Sequence, residues 1–155
     1  MLEPLAPFGN HLPIRIRFGD GEIARLPEIL KDEGAQSTVV IIDRAVCDHP
    51  AIVAALNAAP GTVTTWVKEP GEPTTDDVAA SAAVLADVKA DAVVAIGGGS
   101  AMDTAKAARL VHGSGIPYAD WTAGKATYTE SPVLFITIPT TSGTGSEVSG
   151  GIVVT

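Results

Sequence analysis

A chain of 155 residues suffices for one domain with a sizeable core, and 46% hydrophobic against 18% charged residues excludes a disordered polypeptide. Lys and Arg total 10 against 18 Asp and Glu, so the net charge is −8 with no basic cluster. This balance argues against partners such as nucleic acid or an anionic membrane surface. Cys47, the single cysteine, supports neither a disulfide framework nor a zinc knuckle and fits a reducing cytoplasm. The opening MLEPLAPFGNHL lacks the basic and apolar regions of a signal peptide, and no apolar run has the length of a membrane span, so a cytoplasmic protein is expected.

Residues 1–13 carry Pro4, Pro7 and Pro13 and read as an irregular arm. Ile14 to Phe18 alternates apolar and basic residues, the pattern of a half-exposed strand, and Gly19-Asp20-Gly21 ends it. Ile23, Leu26, Ile29 and Leu30 fall on one helical face, with Pro27 early in the helix and Gly34 as its stop. Thr38 to Ile42 predicts a buried strand ending at Asp43. A helix then begins at Asp48 or His49, with Pro50 near its first position and Ile52, Val53 and Leu56 on its apolar face. Beyond Pro60-Gly61, the β-branched run Thr62 to Val67 predicts a further strand, and Lys68 to Pro73 a loop. Thr74 or Thr75 caps the next helix, with Asp76 and Asp77 in its electropositive first turn and Val78, Ala82, Leu85 and Val88 facing inward.

Ala92 to Ile96 is an apolar run too short for an independent helix and reads as a buried strand of a parallel sheet. Gly97, Gly98, Gly99 and Ser100 follow, and Ala101 to Leu110 is a good helix-forming segment. Strand, glycine turn and helix start together expose bare backbone amides and a partial positive charge, which suits a phosphate or pyrophosphate. A tight strand-to-helix turn needs only one glycine, and three in a row are costly to order. Ile116 to Glu130 reads as a mostly irregular crossing with a short helix near Tyr118 to Trp121. Val133 to Ile138 predicts another parallel strand, Pro139 to Glu147 a polar loop, and Gly151 to Thr155 the start of one more strand. The alternation predicts an α/β fold, an open, largely parallel, Rossmann-like sheet with helices on both faces.

Ligands of open α/β sheets sit beyond the carboxyl ends of the strands, and three features fall there. The first is Asp43, which can accept hydrogen bonds from two ribose hydroxyls or cap a loop; as a ribose ligand it would repel a 2′-phosphate and favour NAD over NADP. The second is the turn from Gly97 to Ser100. The third is the loop with Thr140, Thr141, Ser142, Thr144 and Ser146, whose hydroxyls can bind phosphate and ribose or stabilise a polar turn. Asp103, one turn into the glycine-led helix, can pair with Lys106 at i+3 or orient a nicotinamide or substrate. The G-x-G-x-x-G fingerprint is not met, because Met102 stands where its last glycine belongs, and no Gly-Lys-Ser/Thr occurs. His11, His49 and His112 lack metal-ligand spacing, and no G-x-S-x-G elbow is present.

GGGSAMDTAK at 97–106 and IPTTSGTGSEVS at 138–149 closely resemble the iron-containing (group III) alcohol dehydrogenases, which are related in fold to glycerol dehydrogenase and dehydroquinate synthase. Asp43, the Phe18-Gly19 turn and Pro70 look like the N-terminal half of that family. The resemblance implies a dehydroquinate synthase-like N-terminal domain over residues 1–155, part of a homo-oligomeric NAD(P)-dependent oxidoreductase that interconverts small alcohols with aldehydes or ketones. It implies that Gly97, Gly98, Gly99 and Ser100 hold the pyrophosphate, that Asp43 binds the adenosine ribose, and that Thr140, Thr141 and Thr144 contact the cofactor; Asp103, from its place near the mouth of the site, is counted with them. It also implies a divalent metal, iron or zinc, bound by Asp and His of an all-helical second domain. No residue of this chain matches such a ligand, so the chain is expected to bind cofactor without catalysing the reaction alone. The alternatives are a stand-alone nucleotide-binding module without chemistry and, disfavoured by the TTSGTGSE loop, a lyase of the dehydroquinate synthase type. Ser149 to Thr155 resembles the first strand of a hairpin, and its apolar Ile152-Val153-Val154 edge is expected to promote self-association.

Overall fold

The computed structural model describes residues 14–127 and 131–155; the arm expected at 1–13 lies outside the described residues. Four parallel strands form one sheet in the order β2-β1-β3-β4, with β1 at Ser37–Asp43, β2 at Thr62–Lys68, β3 at Ala92–Gly97 and β4 at Leu134–Pro139. In register, Asp43 lies beside Lys68, Ile42 beside Ile96, and Gly97 beside Pro139, so the carboxyl ends of all four strands share one edge. A 3₁₀ turn at Glu22–Arg25 leads into α1 at Leu26–Asp32. The other helices are α2 at Pro50–Asn57, α3 at Thr75–Asp87, α4 at Gly99–Ser114 and α5 at Tyr118–Thr122.

Strand periodicity divides the core in two, because alternate residues point to opposite faces of the sheet. Val39, Ile41, Val93 and Ala95 pack against Ala82 and Leu85 of α3 and Met102, Ala105 and Ala108 of α4. On the other face, Val40, Ile42, Val94 and Ile96 pack against Leu26 and Leu30 of α1 and Ile52 and Ala55 of α2. Every residue of β3 is buried, as befits a central strand covered on both sides. Each fully buried Leu, Ile or Val in these layers contributes about 1.5–3 kcal/mol. This is the expected α/β fold, a parallel sheet with helices on both faces.

Four local expectations need correction. Ile14 to Phe18 is not a strand: Ile16 is 70% and Phe18 99% exposed, and no strand among the described residues pairs with the segment. Alternation describes one side of a ladder, and a strand also needs a neighbour's hydrogen bonds. Val53 is exposed, because α2 turns Ile52 and Ala55 toward the sheet. The glycine-led helix starts at Gly99, earlier than its apolar residues suggest. Residues 151–155 form no strand either. The Thr155 N–H donates to the Pro73 carbonyl at 2.8 Å, and the Thr155 carbonyl accepts from the Thr75 N–H at 3.1 Å. That stretch of backbone is therefore already engaged by the chain itself.

Helix α3 begins with a reciprocal cap. The Thr74 hydroxyl accepts from the Asp77 N–H at 3.1 Å, and the Asp77 carboxylate accepts from the Thr74 N–H at 3.0 Å. The same carboxylate lies 3.3 Å from the Lys68 ammonium, which is only 4% exposed and also donates to the Glu69 carbonyl at 2.7 Å. Burial alone would raise the Asp77 carboxyl, but the Thr74 N–H and hydroxyl and the Lys68 charge hold it below the ordinary range. Among the described residues, no helix is long and apolar enough to cross a membrane.

Asp77→Ala removes half of the cap and leaves a buried ammonium without its anion. It should cost about 2–4 kcal/mol in urea denaturation, against about 1 kcal/mol for Thr74→Ala. A carboxyl lowered in the folded state stabilises above its unfolded pKa and loses that contribution as pH falls through the folded value. The difference between the parent and Asp77→Ala should therefore shrink as pH drops below the ordinary value of 3.8.

Candidate functional site

The site is built on Gly97, the last residue of β3. Its φ is 152°, and a Cβ placed there would meet the Asp43 Cβ at 2.8 Å and the Ala101 Cβ at 2.8 Å. Only glycine lets the end of β1 and the first turn of α4 close on this point. Gly98 is the N-cap of α4, extended, and carries no side-chain cap. The first turn of α4 also holds no acidic residue, whereas α3 has Asp76 and Asp77 there. The orphan N–H groups and positive end of α4 are therefore left without a neutralising side chain.

The hydroxyl loop lies against this turn. The Thr140 N–H donates to the Gly97 carbonyl at 2.9 Å, which anchors the loop as it leaves β4. A Cβ on Gly98 would sit 3.3 Å from the Thr141 hydroxyl and methyl, and one on Gly99 would sit 3.4 Å from the Thr144 methyl. Thr140, Thr141 and Thr144 are all exposed, with their side chains available to a ligand. The structure thus brings together Asp43, the glycine turn and the threonine loop.

The Asp43 carboxylate is half-buried, and one oxygen accepts from the Ala45 N–H at 3.0 Å. That turn aims the side chain and leaves the other oxygen without a partner among the described residues. The Ser100 hydroxyl donates to the Gly71 carbonyl at 2.6 Å, so its proton ties down the loop after β2 and the backbone N–H is what remains for an anion. Asp103 is buried and fully engaged. One oxygen accepts from the Ser146 hydroxyl at 2.6 Å and from the Lys106 ammonium at 3.1 Å, and the other accepts from the Val153 N–H at 3.0 Å. Lys106 also donates to the Ser146 hydroxyl at 2.7 Å and the Gly151 carbonyl at 2.9 Å. Asp103 and Lys106 form the helix pair anticipated from their spacing, and the pair fastens residues 146–153 to α4.

An open cleft of about 380 Å³ lies here, lined by Gly99, Ser100, Asp103, Thr144, Ser146 and Val153 among others. Its size is in the range of small-molecule sites. Another cleft of about 250 Å³ is lined by Ile42, Cys47, Val53, Leu56, Asn57, Val63 and Thr65, with no helix N-terminus or cationic side chain among them. Sequence patterns missed Lys68 and Gly71, through which the loop after β2 is tied to the cap of α3 and to Ser100 of the glycine turn. The available signal was a lysine closing a β-branched run, where a charge is buried only with partners. Tyr118 was also missed; burial, and then the charge of Asp103, push its phenol up. Among the described residues, no group of three or more His, Cys, Asp or Glu side chains is placed to hold a metal ion. His49 caps α2, and His112 bonds to the Ala90 carbonyl at 3.0 Å.

The profile of the iron-containing alcohol dehydrogenase family matches residues 13–155. The 4-hydroxybutyrate dehydrogenase of Cupriavidus necator is 31% identical over 138 residues, covering 86% of this chain and 36% of that protein. Among solved structures, the sulfoacetaldehyde reductase of Bifidobacterium kashiwanohense in complex with NAD+ superposes with a TM-score of 0.83 at 30% identity, over 93% of this chain and 39% of that one. The NADH-dependent butanol dehydrogenase A of Thermotoga maritima gives a TM-score of 0.88 at 25% identity, over 96% and 38%. The chain therefore spans less than two fifths of the length of each of these relatives.

Gly97→Ala and Gly98→Ala separate the two tasks of the turn. Gly97→Ala meets two Cβ atoms at 2.8 Å in a backbone conformation that disfavours a side chain. It should cost about 3 kcal/mol in chemical denaturation. Gly98→Ala meets only the exposed Thr141 side chain, which can shift, and should cost less than about 1 kcal/mol.

Proposed function

Because the chain belongs to the iron-containing alcohol dehydrogenase family, we propose that it supplies the NAD-binding unit of a cytoplasmic oxidoreductase that interconverts a small alcohol with an aldehyde or ketone. One observation carries the reading: the uncapped, glycine-led start of α4 touches both the Asp43 strand end and the Thr141–Thr144 loop. A phosphate site, a carboxylate and a row of hydroxyls at one sheet edge match the parts of a dinucleotide. The complex of the Bifidobacterium reductase with NAD+ supports the choice of ligand.

The chemistry of these residues suits that ligand. The N–H groups at the start of α4 face the pyrophosphate position, and the missing Cβ atoms of Gly98 and Gly99 leave room for close approach. The hydroxyls of Thr140, Thr141 and Thr144 close the other side. The free oxygen of Asp43 accepts from the adenosine ribose, and its charge disfavours a 2′-phosphate, so NAD is preferred over NADP. Asp103 acts as a positioning residue, because both its oxygens are spent on holding Ser146, Lys106 and Val153. NAD, when bound, accepts or returns the hydride. Among the described residues no donor set fits a metal centre.

Titration calorimetry of the chain with NAD tests the proposal. One site per chain is expected, and Asp43→Ala should weaken binding about tenfold, the worth of one or two hydrogen bonds to a charged group. Binding that ignores Asp43→Ala, or no binding, would contradict it.

A further inference from the structure

We propose that Glu69 is a specificity residue: by occupying the Arg44 guanidinium it prevents that side chain from gripping a 2′-phosphate, and so keeps the adenosine corner selective for NAD. This rests on the NAD-binding reading above.

The parallel register places Asp43 beside Lys68, so Arg44 and Glu69 leave neighbouring strand ends side by side. The Arg44 N–H donates to the Lys68 carbonyl at 3.0 Å, which fixes the start of the turn after Asp43. The guanidinium then grips Glu69 as a fork, with Nη2 to Oε1 at 2.5 Å, Nε to Oε1 at 3.2 Å and Nε to Oε2 at 3.3 Å. A fork of this kind is the geometry that recognises phosphate, and an arginine near the ribose-binding acid is how a dinucleotide site accepts NADP. Here that arginine is present, adjacent in sequence to Asp43, but bound elsewhere.

Charge at the corner follows from three neighbours. Asp43 and Glu69 are negative and Arg44 is positive, which leaves one negative charge facing an incoming 2′-phosphate. Lys68 does not change the balance, since its ammonium is buried against Asp77 and the Glu69 carbonyl. The Arg44 and Glu69 side chains are 51% and 63% exposed, so their pairing does little for the fold. Its effect falls on whatever approaches the corner. Asp43 repels the extra phosphate, and Glu69 removes the cation that could offset the repulsion.

The test measures NADH and NADPH dissociation constants by nucleotide fluorescence for the unaltered chain and for Glu69→Gln, Asp43→Asn, the double variant, and the double variant with Arg44→Ala added. Glu69→Gln should leave NADH affinity within about twofold and tighten NADPH. In the double variant, NADPH should tighten about tenfold or more beyond Asp43→Asn alone, as a freed charge-assisted fork predicts. Adding Arg44→Ala should abolish that gain. If the unaltered chain binds NADH but Glu69→Gln changes NADPH affinity in neither background, the proposal is overturned while the NAD reading stands. A gain that survives Arg44→Ala overturns it equally. If the unaltered chain binds neither nucleotide, the NAD reading fails and the proposal fails with it.

Discussion

The organisation of the site depends on one close approach. Gly97 has no side chain, and for that reason the end of β1 and the first turn of α4 can both come within van der Waals contact of its Cα. From this follow the position of Asp43 beside the helix start, the exposure of the α4 N–H groups to the strand edge, and the anchoring of the threonine loop through the Gly97 carbonyl. A methyl group there would push apart three elements that must meet. The three consecutive glycines do different work: the first allows the approach, and the next two keep the helix start bare.

Around this point the walls are held by buried charge. Asp103 and Lys106 tie Ser146, Gly151 and Val153 to α4 on one side. Lys68 and Asp77 tie the loop after β2 to the cap of α3 on the other, and Ser100 joins that loop to the glycine turn. Such pairs stabilise only when every partner is present, and breaking one leaves an uncompensated charge. This makes them unlike the exposed Arg44–Glu69 pair, which can be rearranged at little cost to the fold. The buried ion pairs fix the walls, while the exposed pair lies at the strand ends next to Asp43.

Much of the fold was legible because several signals coincided. Thr38–Ile42 and Ala92–Ile96 are apolar runs of strand length bounded by Asp and Gly, and both are central strands. A cap at Thr74 or Thr75 with acids in the first turn was legible, and the structure settles it as a reciprocal box between Thr74 and Asp77. The Gly97–Ser100 turn and the Thr140–Ser146 loop were legible as partners because the ends of parallel strands share an edge. What could not be read depended on neighbours. Ile14–Phe18 has strand periodicity without a strand to pair with. Val53 looks like its buried neighbours and faces outward because of how α2 sits on the sheet. Lys68 reads as a loop lysine, and only its distance to Asp77 shows it to be a buried wall residue. The hydrogen bond from the Ser100 hydroxyl to the Gly71 carbonyl, which leaves its backbone N–H for an anion, also has no sequence signal.

We propose the bare start of α4, flanked by Asp43 and the threonine loop, as the place where a dinucleotide binds. Amide chemical shifts of the ¹⁵N-labelled chain titrated with NAD test it most directly, residue by residue. The largest changes are expected at Gly98, Gly99, Ser100 and Ala101, with accompanying changes at Ala45, Thr141 and Thr144. Changes centred instead on Val53, Leu56 and Val63, which line the other cleft, would contradict it.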